Sequence, residues 1–315
     1  MKRVLVIGEA MVEMRPAGDK PDHYASAIAG DVYNTAVYLK RLAGEDAQVS
    51  FLTALGDDAL SQRMRDTFED EGIDTGYVRT IKGGTPGLYM IHTDDQGERS
   101  FTYWRSAAAA RRMLECDSIE GLADLLSGFD LVYFSGITLA ILPPDHAALL
   151  IAAAEAARPN GTTIAFDPNY RARLWSAPEL AIAAFDNAFA VSDILLPGMD
   201  DEHDLYGSQS PKDTINRLQN GHPAHIVLKA GKHVHLYTNG QETGILTVTP
   251  VERPVDTTAA GDSFAAGFLS GWLDGLAPAD SVARAARVAA FVVTQPGAIC
   301  PKTIFSSVLK QEQQS

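Results

Sequence analysis

The 315-residue chain is poor in cysteine, in positive charge and in long apolar runs, and each shortage excludes a class of protein. Its two cysteines, Cys116 and Cys300, fit no metal-binding spacing, so free thiols in a reducing cytoplasm are expected. Because 40 Asp and Glu outnumber 26 Lys and Arg, the net charge of −14 argues against nucleic acid or an anionic membrane as the main partner. The N-terminal apolar run at 4–7 is too short for a signal peptide, and no segment approaches a membrane span. We therefore expect a cytoplasmic globular protein that acts on small molecules.

A further absence concerns the turn after the first predicted strand. The run at 4–7 predicts a buried strand that ends at Gly8. Dinucleotide-binding oxidoreductases carry G-x-G-x-x-G at this position, whereas the chain continues Gly8-Glu9-Ala10-Met11-Val12-Glu13. The sequence therefore disfavours a dinucleotide-binding fold.

Strand-like and helix-like segments alternate along most of the chain. Strand-like runs recur at 4–7, 49–55, 131–135, 163–166, 194–196 and 226–228. Helix-like segments such as 31–42 lie between most of them, which predicts a three-layer α/β fold with a mostly parallel sheet. Neither a repeat nor a long linker interrupts this pattern, so residues 1–315 are expected to form one domain.

One aromatic-rich segment departs from the alternation. Residues 87–93 and 99–105 flank the turn-rich sequence Asp94-Asp95-Gln96-Gly97, which predicts an antiparallel hairpin. We expect the segment at 86–105 to combine with residues near 10–27 into a small β-sheet lid over the carboxyl edge of the main sheet. A packing or dimer-contact role is the alternative.

The register of this hairpin decides which side chains share a face. Alternation places Phe101, Tyr103 and Arg105 on one face. A five-residue connection would add Tyr89 to that face, whereas a four-residue connection would turn it away. Alternation alone does not settle the register, and the five-residue connection is expected from the family resemblance described below.

The most informative stretch of the chain is Asp256-Thr257-Thr258-Ala259-Ala260-Gly261-Asp262-Ser263-Phe264. Aromatic residues recur every four positions at Phe264, Phe268 and Trp272, so a helix is expected to begin near Asp262. A helix start offers unpaired N–H groups and a positive dipole end, and the small residues of the turn let an anion lie against the backbone. A carboxylate here would repel a phosphate unless it served as the base for an attacking hydroxyl. The alternative is an ordinary helix cap.

The same stretch resembles D-T-x-x-A-G-D-x-F, the signature of the ribokinase-like (phosphofructokinase-B) carbohydrate kinases. The resemblance implies a ribokinase-like α/β/α fold and phosphorylation of a sugar by ATP with Mg²⁺. It also implies that Ala259, Ala260 and Gly261 form the anion hole for the transferred phosphoryl group, and that Asp262 deprotonates the sugar hydroxyl.

Further segments resemble one branch of that family, the 2-keto-3-deoxygluconate kinases, whose product is 2-keto-3-deoxy-6-phosphogluconate. They lie at 8–9, 29–36, 86–105, 135–137, 167–171 and 174–175. The resemblance implies that the sugar acid contacts Gly30, Asn34, Tyr89, Tyr103, Arg105 and Arg171 together with Asp262.

Charge supports an acid substrate. A neutral hexose would leave Arg105 and Arg171 without the counter-charge that a substrate carboxylate supplies, and charge-assisted hydrogen bonds are strong. For Arg171 the alternative is a structural ion pair with the nearby Asp167.

The nucleotide and metal segments depart from the family pattern. Lys229-Ala230-Gly231-Lys232 stands where the family has K-x-G. The resemblance therefore implies nucleotide contacts by Lys229, Gly231 and Lys232, with Asn169 and Gly261. Asp201 replaces the Glu of the metal-linked N-x-x-E motif, so we expect it to hold Mg²⁺ indirectly, through water.

Two other functions stay open on the sequence. One is a kinase for another sugar, such as fructose, and the other is a catalytically silent sensor of sugar acids. The intact pair Gly261-Asp262 argues against the sensor, since a sensor has no use for a base. Because the lids of similar kinases often join subunits, we also expect a homo-oligomer formed through the lid.

Overall fold

A computed structural model of the chain describes residues 1–17, 23–93 and 99–305. The strands in chain order are β1 (Lys2–Ile7), β2 (Met11–Pro16), β3 (Tyr24–Ala29), β4 (Ala47–Leu55), β5 (Val78–Thr80), β6 (Gly87–Thr93), β7 (Arg99–Trp104), β8 (Leu131–Ser135), β9 (Thr163–Asp167), β10 (Ile194–Leu195), β11 (His225–Ala230), β12 (His233–Thr238) and β13 (Gln241–Thr247). The α-helices are α1 (Asp31–Ala43), α2 (Ala59–Asp70), α3 (Ile119–Leu126), α4 (Gly136–Ile141), α5 (Pro144–Ala157), α6 (Pro178–Val191), α7 (Met199–Tyr206), α8 (Pro211–Leu218), α9 (Ala260–Leu273) and α10 (Pro278–Val292). None of these described helices is long and apolar enough to cross a membrane.

The main sheet has the strand order β13-β12-β11-β10-β9-β8-β1-β4-β5. Every pairing from β11 to β5 is parallel, and β12 and β13 add an antiparallel edge. All six strands predicted from the sequence lie in this sheet, so the mostly parallel α/β fold is confirmed.

Both faces of the sheet are covered by helices, as the near-continuous apolar strands require. Along β1, Val4 and Val6 pack on one side with residues of α1, α9 and α10. Leu5 and Ile7 pack on the other side with residues of α3, α5 and α6. The sheet is therefore the middle of three layers.

A smaller, separate sheet has the order β3-β2-β6-β7. In its β6–β7 hairpin, Tyr89 lies opposite Tyr103 and Thr93 lies opposite Arg99. This register leaves five residues between the strands and puts Tyr89 and Tyr103 on one face, so the expected register is confirmed. The predicted turn at 94–97 itself lies outside the described residues.

The loops at the carboxyl edge of the main sheet approach one another through glycine. A Cβ atom on Gly30 would lie 2.5 Å from the main-chain oxygen of Glu9, and Gly30 has a φ of 152°. A Cβ atom on Gly136 would lie 1.9 Å from the main-chain oxygen of Pro168. Because both contacts are with backbone, no larger residue fits without moving a loop. The loops after β1 and β3 therefore meet at this edge, as do the loops after β8 and β9, and ligands of open α/β sheets bind at such an edge.

Candidate active site

Asp262 lies in the first turn of α9 at this edge. The helix begins at Ala260, two residues earlier than the sequence predicted, and its N-cap residue Ala259 makes no side-chain cap. The Asp262 carboxylate instead accepts a hydrogen bond of 2.8 Å from the side-chain amide of Asn34 in α1. Its contact is therefore with the neighbouring helix, which does not fit the alternative of an ordinary helix cap.

The surroundings of Asp262 favour its protonated form. Burial raises the pKa of Asp262 well above its usual range, and the nearby charge of Asp31 raises it further. The hydrogen bond from Asn34 opposes this rise, because it stabilises the charged carboxylate. A carboxylate with a raised pKa is a stronger base than an exposed one.

A cavity of ≈ 350 Å³, here called the sugar cavity, opens beside Asp262. All seven residues predicted to contact the substrate line it: Gly30, Asn34, Tyr89, Tyr103, Arg105, Arg171 and Asp262. They come from the loop and helix after β3, from the hairpin, from the loop after β9 and from α9, so distant parts of the chain form one site.

The aromatic wall of the sugar cavity is formed by the hairpin. The rings of Tyr89 and Tyr103 stack with centroids 5.6 Å apart. The buried Tyr89 also donates a hydrogen bond to Glu13 of β2, which fixes its ring against the small sheet. The two rings therefore offer a rigid apolar surface to a ligand.

The positive charge of Arg105 is balanced by a carboxylate of the protein itself. Its guanidinium donates to the carboxylate of Glu9, which is buried, while 10% of the Arg105 side chain is exposed. Burial raises the pKa of Glu9 to about 7, although Arg105 opposes the rise. The expectation that only a substrate carboxylate could balance Arg105 is therefore wrong, because Glu9 does so.

Arg171 is less tightly held. Its side chain is 44% exposed and lies 3.7 Å from the carboxylate of Asp201. The ion pair with Asp167 that was the structural alternative for Arg171 is not formed, since Asp167 bonds to Lys229 at 2.8 Å. Arg171 can thus reach a ligand without breaking a close ion pair.

Arg173 and Asp31 also line the sugar cavity, and neither was predicted. The Arg173 guanidinium lies 3.9 Å from the ring centroid of Tyr103, and no carboxylate within the described residues pairs with it. The signal for Arg173 was its place between two segments that carry the family resemblance, 167–171 and 174–175. Asp31 follows Gly30 directly and has the same kind of signal.

A second cavity of ≈ 320 Å³, here called the phosphate cavity, adjoins the first. The two share Asn169, Arg171, Thr257, Thr258 and Asp262. Gly261, Lys229 and Gly231 line the phosphate cavity as well, and a Cβ atom on Gly261 would meet nothing within 4 Å. The start of α9 therefore presents open backbone to this cavity.

A third cavity, of ≈ 260 Å³ and mostly apolar, continues from the phosphate cavity. The two share Lys229, Gly231 and Gly261. Its remaining walls come from Val234, Val248, Thr249, Pro250, Val251, Ala260, Phe264, Ala286, Ala289, Ala290 and Val293. The base of ATP is a flat apolar ring, and its phosphates follow. This order matches the apolar cavity and the phosphate cavity next to it, so the residues present fit ATP. Lys232, predicted as a nucleotide contact, is exposed in the turn after β11 and does not line these cavities.

Carboxylates at the phosphate cavity suit a hard cation. Asp201, in the first turn of α7, lines the cavity with Asp200 and Asp167. Burial raises the pKa of Asp201 to about 6, and the charge of Asp167 adds to the rise. In the part of the chain that the structure describes, no three His, Cys, Asp or Glu side chains are grouped to hold a metal. The donor set fits Mg²⁺ held largely by water and phosphate oxygens.

Comparison with known proteins identifies the family. Residues 1–304 match the model of the pfkB family carbohydrate kinases. The chain belongs to this family. Its fold and its D-T-x-x-A-G-D-x-F stretch at 256–264 agree with that membership.

The chain is also similar to individual proteins over nearly its whole length. The chain is 38% identical to the 2-dehydro-3-deoxygluconokinase of Escherichia coli strain K12 over 306 residues, which is 96% of this chain and 98% of that protein. It is also 38% identical to the 2-dehydro-3-deoxygluconokinase of Dickeya dadantii strain 3937 over 305 residues, 95% of this chain and 97% of that protein. A fructokinase from Xylella fastidiosa, solved with bound ATP, is 25% identical with a TM-score of 0.81 and 99% coverage of both chains.

Proposed function

We propose that this pfkB carbohydrate kinase transfers the γ-phosphoryl group of ATP to the 6-hydroxyl of 2-keto-3-deoxygluconate, the acid also called 2-dehydro-3-deoxygluconate. The observation that carries the proposal is the position of Asp262. It lies where a cavity lined by three arginines meets a cavity built on the start of α9. The names of the Escherichia coli and Dickeya dadantii relatives support the same substrate.

The choice of an acid substrate rests on the cations of the sugar cavity. Arg105 is balanced by Glu9, whereas Arg171 pairs with Asp201 at 3.7 Å and Arg173, among the described residues, has an aromatic ring in place of a carboxylate. A guanidinium in a cavity binds a carboxylate through charge-assisted hydrogen bonds. A neutral hexose such as fructose would leave this charge unused, so a fructokinase is the less favoured alternative.

Residues at the start of α9 have two roles in the proposed reaction: one accepts a proton, and the others stabilise negative charge. Asp262 accepts the proton of the 6-hydroxyl as the new P–O bond forms and the bond between the γ-phosphorus and the bridging oxygen of ADP breaks, and Asn34 holds the Asp262 carboxylate toward the cavity. The anion hole at Ala259, Ala260 and Gly261 receives the negative charge that develops on the phosphoryl oxygens. To take part, the Ala260 N–H has to leave the main-chain oxygen of Thr257, to which it donates at 3.2 Å. ATP supplies the phosphoryl group when it is bound, and Mg²⁺ offsets its charge. A silent sensor would need none of these groups.

ATP is expected to lie along the phosphate cavity and the apolar cavity that adjoins it. Its phosphates are expected beside Asn169, Lys229, Gly231 and Gly261, and its base in the apolar cavity beyond them. Asp201 is proposed to hold Mg²⁺ through water. Both cysteines are free, one exposed and one buried, which suits the reducing cytoplasm that we propose as the compartment.

The small sheet is proposed as a lid within a single domain, and as the surface of a homodimer. Its inner face carries Tyr89 and Tyr103 into the sugar cavity. Trp104 lies opposite Leu88 on the other face, and its side chain is 54% exposed. A large aromatic side chain exposed on a four-stranded sheet is typical of a surface that a partner covers.

The first prediction tests the base. Asp262→Asn should lower kcat by about 10²–10⁴-fold with 2-keto-3-deoxygluconate, because the variant cannot take the hydroxyl proton. Release of ADP is measured for the wild type and the variant over a panel of keto-deoxy acids and neutral hexoses. Near-normal turnover by the variant, or a wild type that prefers a hexose, would contradict the proposal.

The pH dependence provides the control for this prediction. Because Asp262 acts as a carboxylate, kcat should fall as the pH is lowered through its raised pKa. Asn34→Ala removes the donor that opposes the rise, so the acid limb should move to higher pH. Thr35→Ala is the matched variant, since the Thr35 hydroxyl donates to the main-chain oxygen of Asp262, and it should leave the limb in place.

The second prediction tests recognition of the acid. Arg171→Ala should raise KM for the keto-deoxy acid at a cost of about 1.5–3 kcal/mol, because a charge-assisted contact is lost. A poor neutral substrate should be affected little. Arg112→Ala serves as the control, since this exposed arginine pairs with Glu115 away from the cavity. Equal losses on the acid and the neutral sugar would assign Arg171 to structure or to the nucleotide.

The third prediction concerns the metal. Asp201→Ala should raise the Mg²⁺ concentration needed for half-maximal rate, because an outer ligand of the ion is removed. Asp262→Asn should not change that concentration, since its defect lies in proton removal. Rates are measured over a Mg²⁺ titration. An unchanged Mg²⁺ requirement would remove Asp201 from the metal site, and full activity in excess EDTA would overturn metal assistance.

The fourth prediction concerns the dimer. Light scattering should give a mass above the monomer value of 33.8 kDa, and Trp104→Glu should return it to that value, because a charge is buried in an apolar contact. Ile245→Glu is the matched control: Ile245 is 55% exposed on β13, which is an edge strand of the main sheet and not part of the small sheet. A wild-type enzyme that is monomeric and fully active rules the dimer out.

A further inference from the structure

Asp31 is a carboxylate inside a cavity that is proposed to bind an acid, and its presence there needs a separate explanation. It is the first residue of α1, directly after Gly30, and it is half-buried in the wall of the sugar cavity. A substrate carboxylate would be repelled by it. Asp31 therefore has to face a different part of the substrate.

The side chain of Asp31 is held from the protein side by two donors. The buried Ser135 hydroxyl donates to its Oδ2 atom, and the Asn169 side-chain amide donates to the same atom at 3.3 Å. Asn169 has a φ of 36°, so it lies in the left-handed region, which asparagine tolerates better than most residues. These donors fix Asp31 as a hydrogen-bond acceptor with a defined direction.

The electrostatic neighbours of Asp31 place it between the two ends of the site. Its charge acts on Asp262, and the charges of Arg105 and Arg171 act on it. Burial raises the pKa of Asp31, whereas the Ser135 hydrogen bond and the two arginines oppose the rise. A chain-like acid with its carboxylate at the arginines and its terminal hydroxyl at Asp262 would therefore pass Asp31 with its middle carbons.

We propose that Asp31 determines specificity by accepting a hydrogen bond from a secondary hydroxyl of the sugar acid, on C4 or C5. The inference rests on the proposed function, because the substrate class supplies the hydroxyl. Repulsion between Asp31 and the carboxylate also sets the direction in which the acid binds, with its C6 end at Asp262. Asp31 thus selects for a hydroxylated acid over a deoxygenated one of the same length.

A purely structural role for Asp31 is the alternative. An acidic residue in the first turn of a helix interacts favourably with the helix dipole, and its loss would lower stability and activity on every substrate alike. The two roles differ in one respect. Only direct recognition links Asp31 to one particular hydroxyl of the substrate.

The test combines enzyme variants with substrate analogues. The parent acid, its 4-deoxy analogue and its 5-deoxy analogue are assayed with the wild type, Asp31→Ala and Asp31→Asn. For the recognised hydroxyl, the wild type should lose about 10–100-fold in kcat/KM on the deoxy analogue, because a charged acceptor is left unpaired. In Asp31→Ala the same ratio should fall below about threefold, since the acceptor is absent.

Two further variants complete the test. Asp31→Asn retains the shape without the charge and should give an intermediate ratio of about 2–10-fold, so it replaces the alanine variant if that one does not fold. Asp66→Asn, an exposed residue of α2, should keep the wild-type ratios. Equal ratios in the wild type and the Asp31 variants for both analogues would overturn the inference. A wild type that does not phosphorylate the parent acid would overturn the proposed function and this inference with it.

Discussion

Several carboxylates are crowded at one edge of the main sheet, in a chain whose net charge is −14. The geometry of the site depends on the groups that stabilise the negative charge of these carboxylates. Asp262 is stabilised by an amide, Glu9 by a guanidinium and Asp167 by an ammonium group. An uncompensated carboxylate in such a place costs several kcal/mol or takes up a proton. Each of these partners therefore fixes a different loop at the carboxyl edge, and the catalytic geometry follows from the pairing.

The same pairings decide which cations remain for a ligand. The largely buried pair of Glu9 and Arg105 joins the end of β1 to the end of the hairpin, and removing one partner of a buried pair costs about 3–5 kcal/mol. Arg105 is therefore as much a link between the two sheets as a ligand contact. The exposed side of the cavity, where Arg171 and Arg173 lie, has the cations that can move toward an anion without that cost.

Much of the fold could be predicted from the sequence because its signals are local. Apolar runs bounded by turn residues predict six strands that all pair in parallel in the main sheet, and the four-residue recurrence of Phe264, Phe268 and Trp272 predicts the helix that carries Asp262. The helix begins two residues before the predicted start, because Ala260 and Gly261, small residues that are typical of turns, form part of its first turn. The hairpin register followed from alternation only after a connection length had been chosen.

The pairing of charges could not be predicted, because it depends on which loops meet in space. Arg105 and Glu9 are 96 residues apart, and nothing in either segment points to the other. The structural alternative for Arg171 was an ion pair with Asp167, a neighbour in sequence, yet the sheet places Lys229 from β11 against that carboxylate. Once Lys229 neutralises Asp167, Arg171 is left to the outer side of the loop after β9, near Asp201. A local motif therefore identified which residues take part, whereas only the strand order determined which of them are free to bind a substrate.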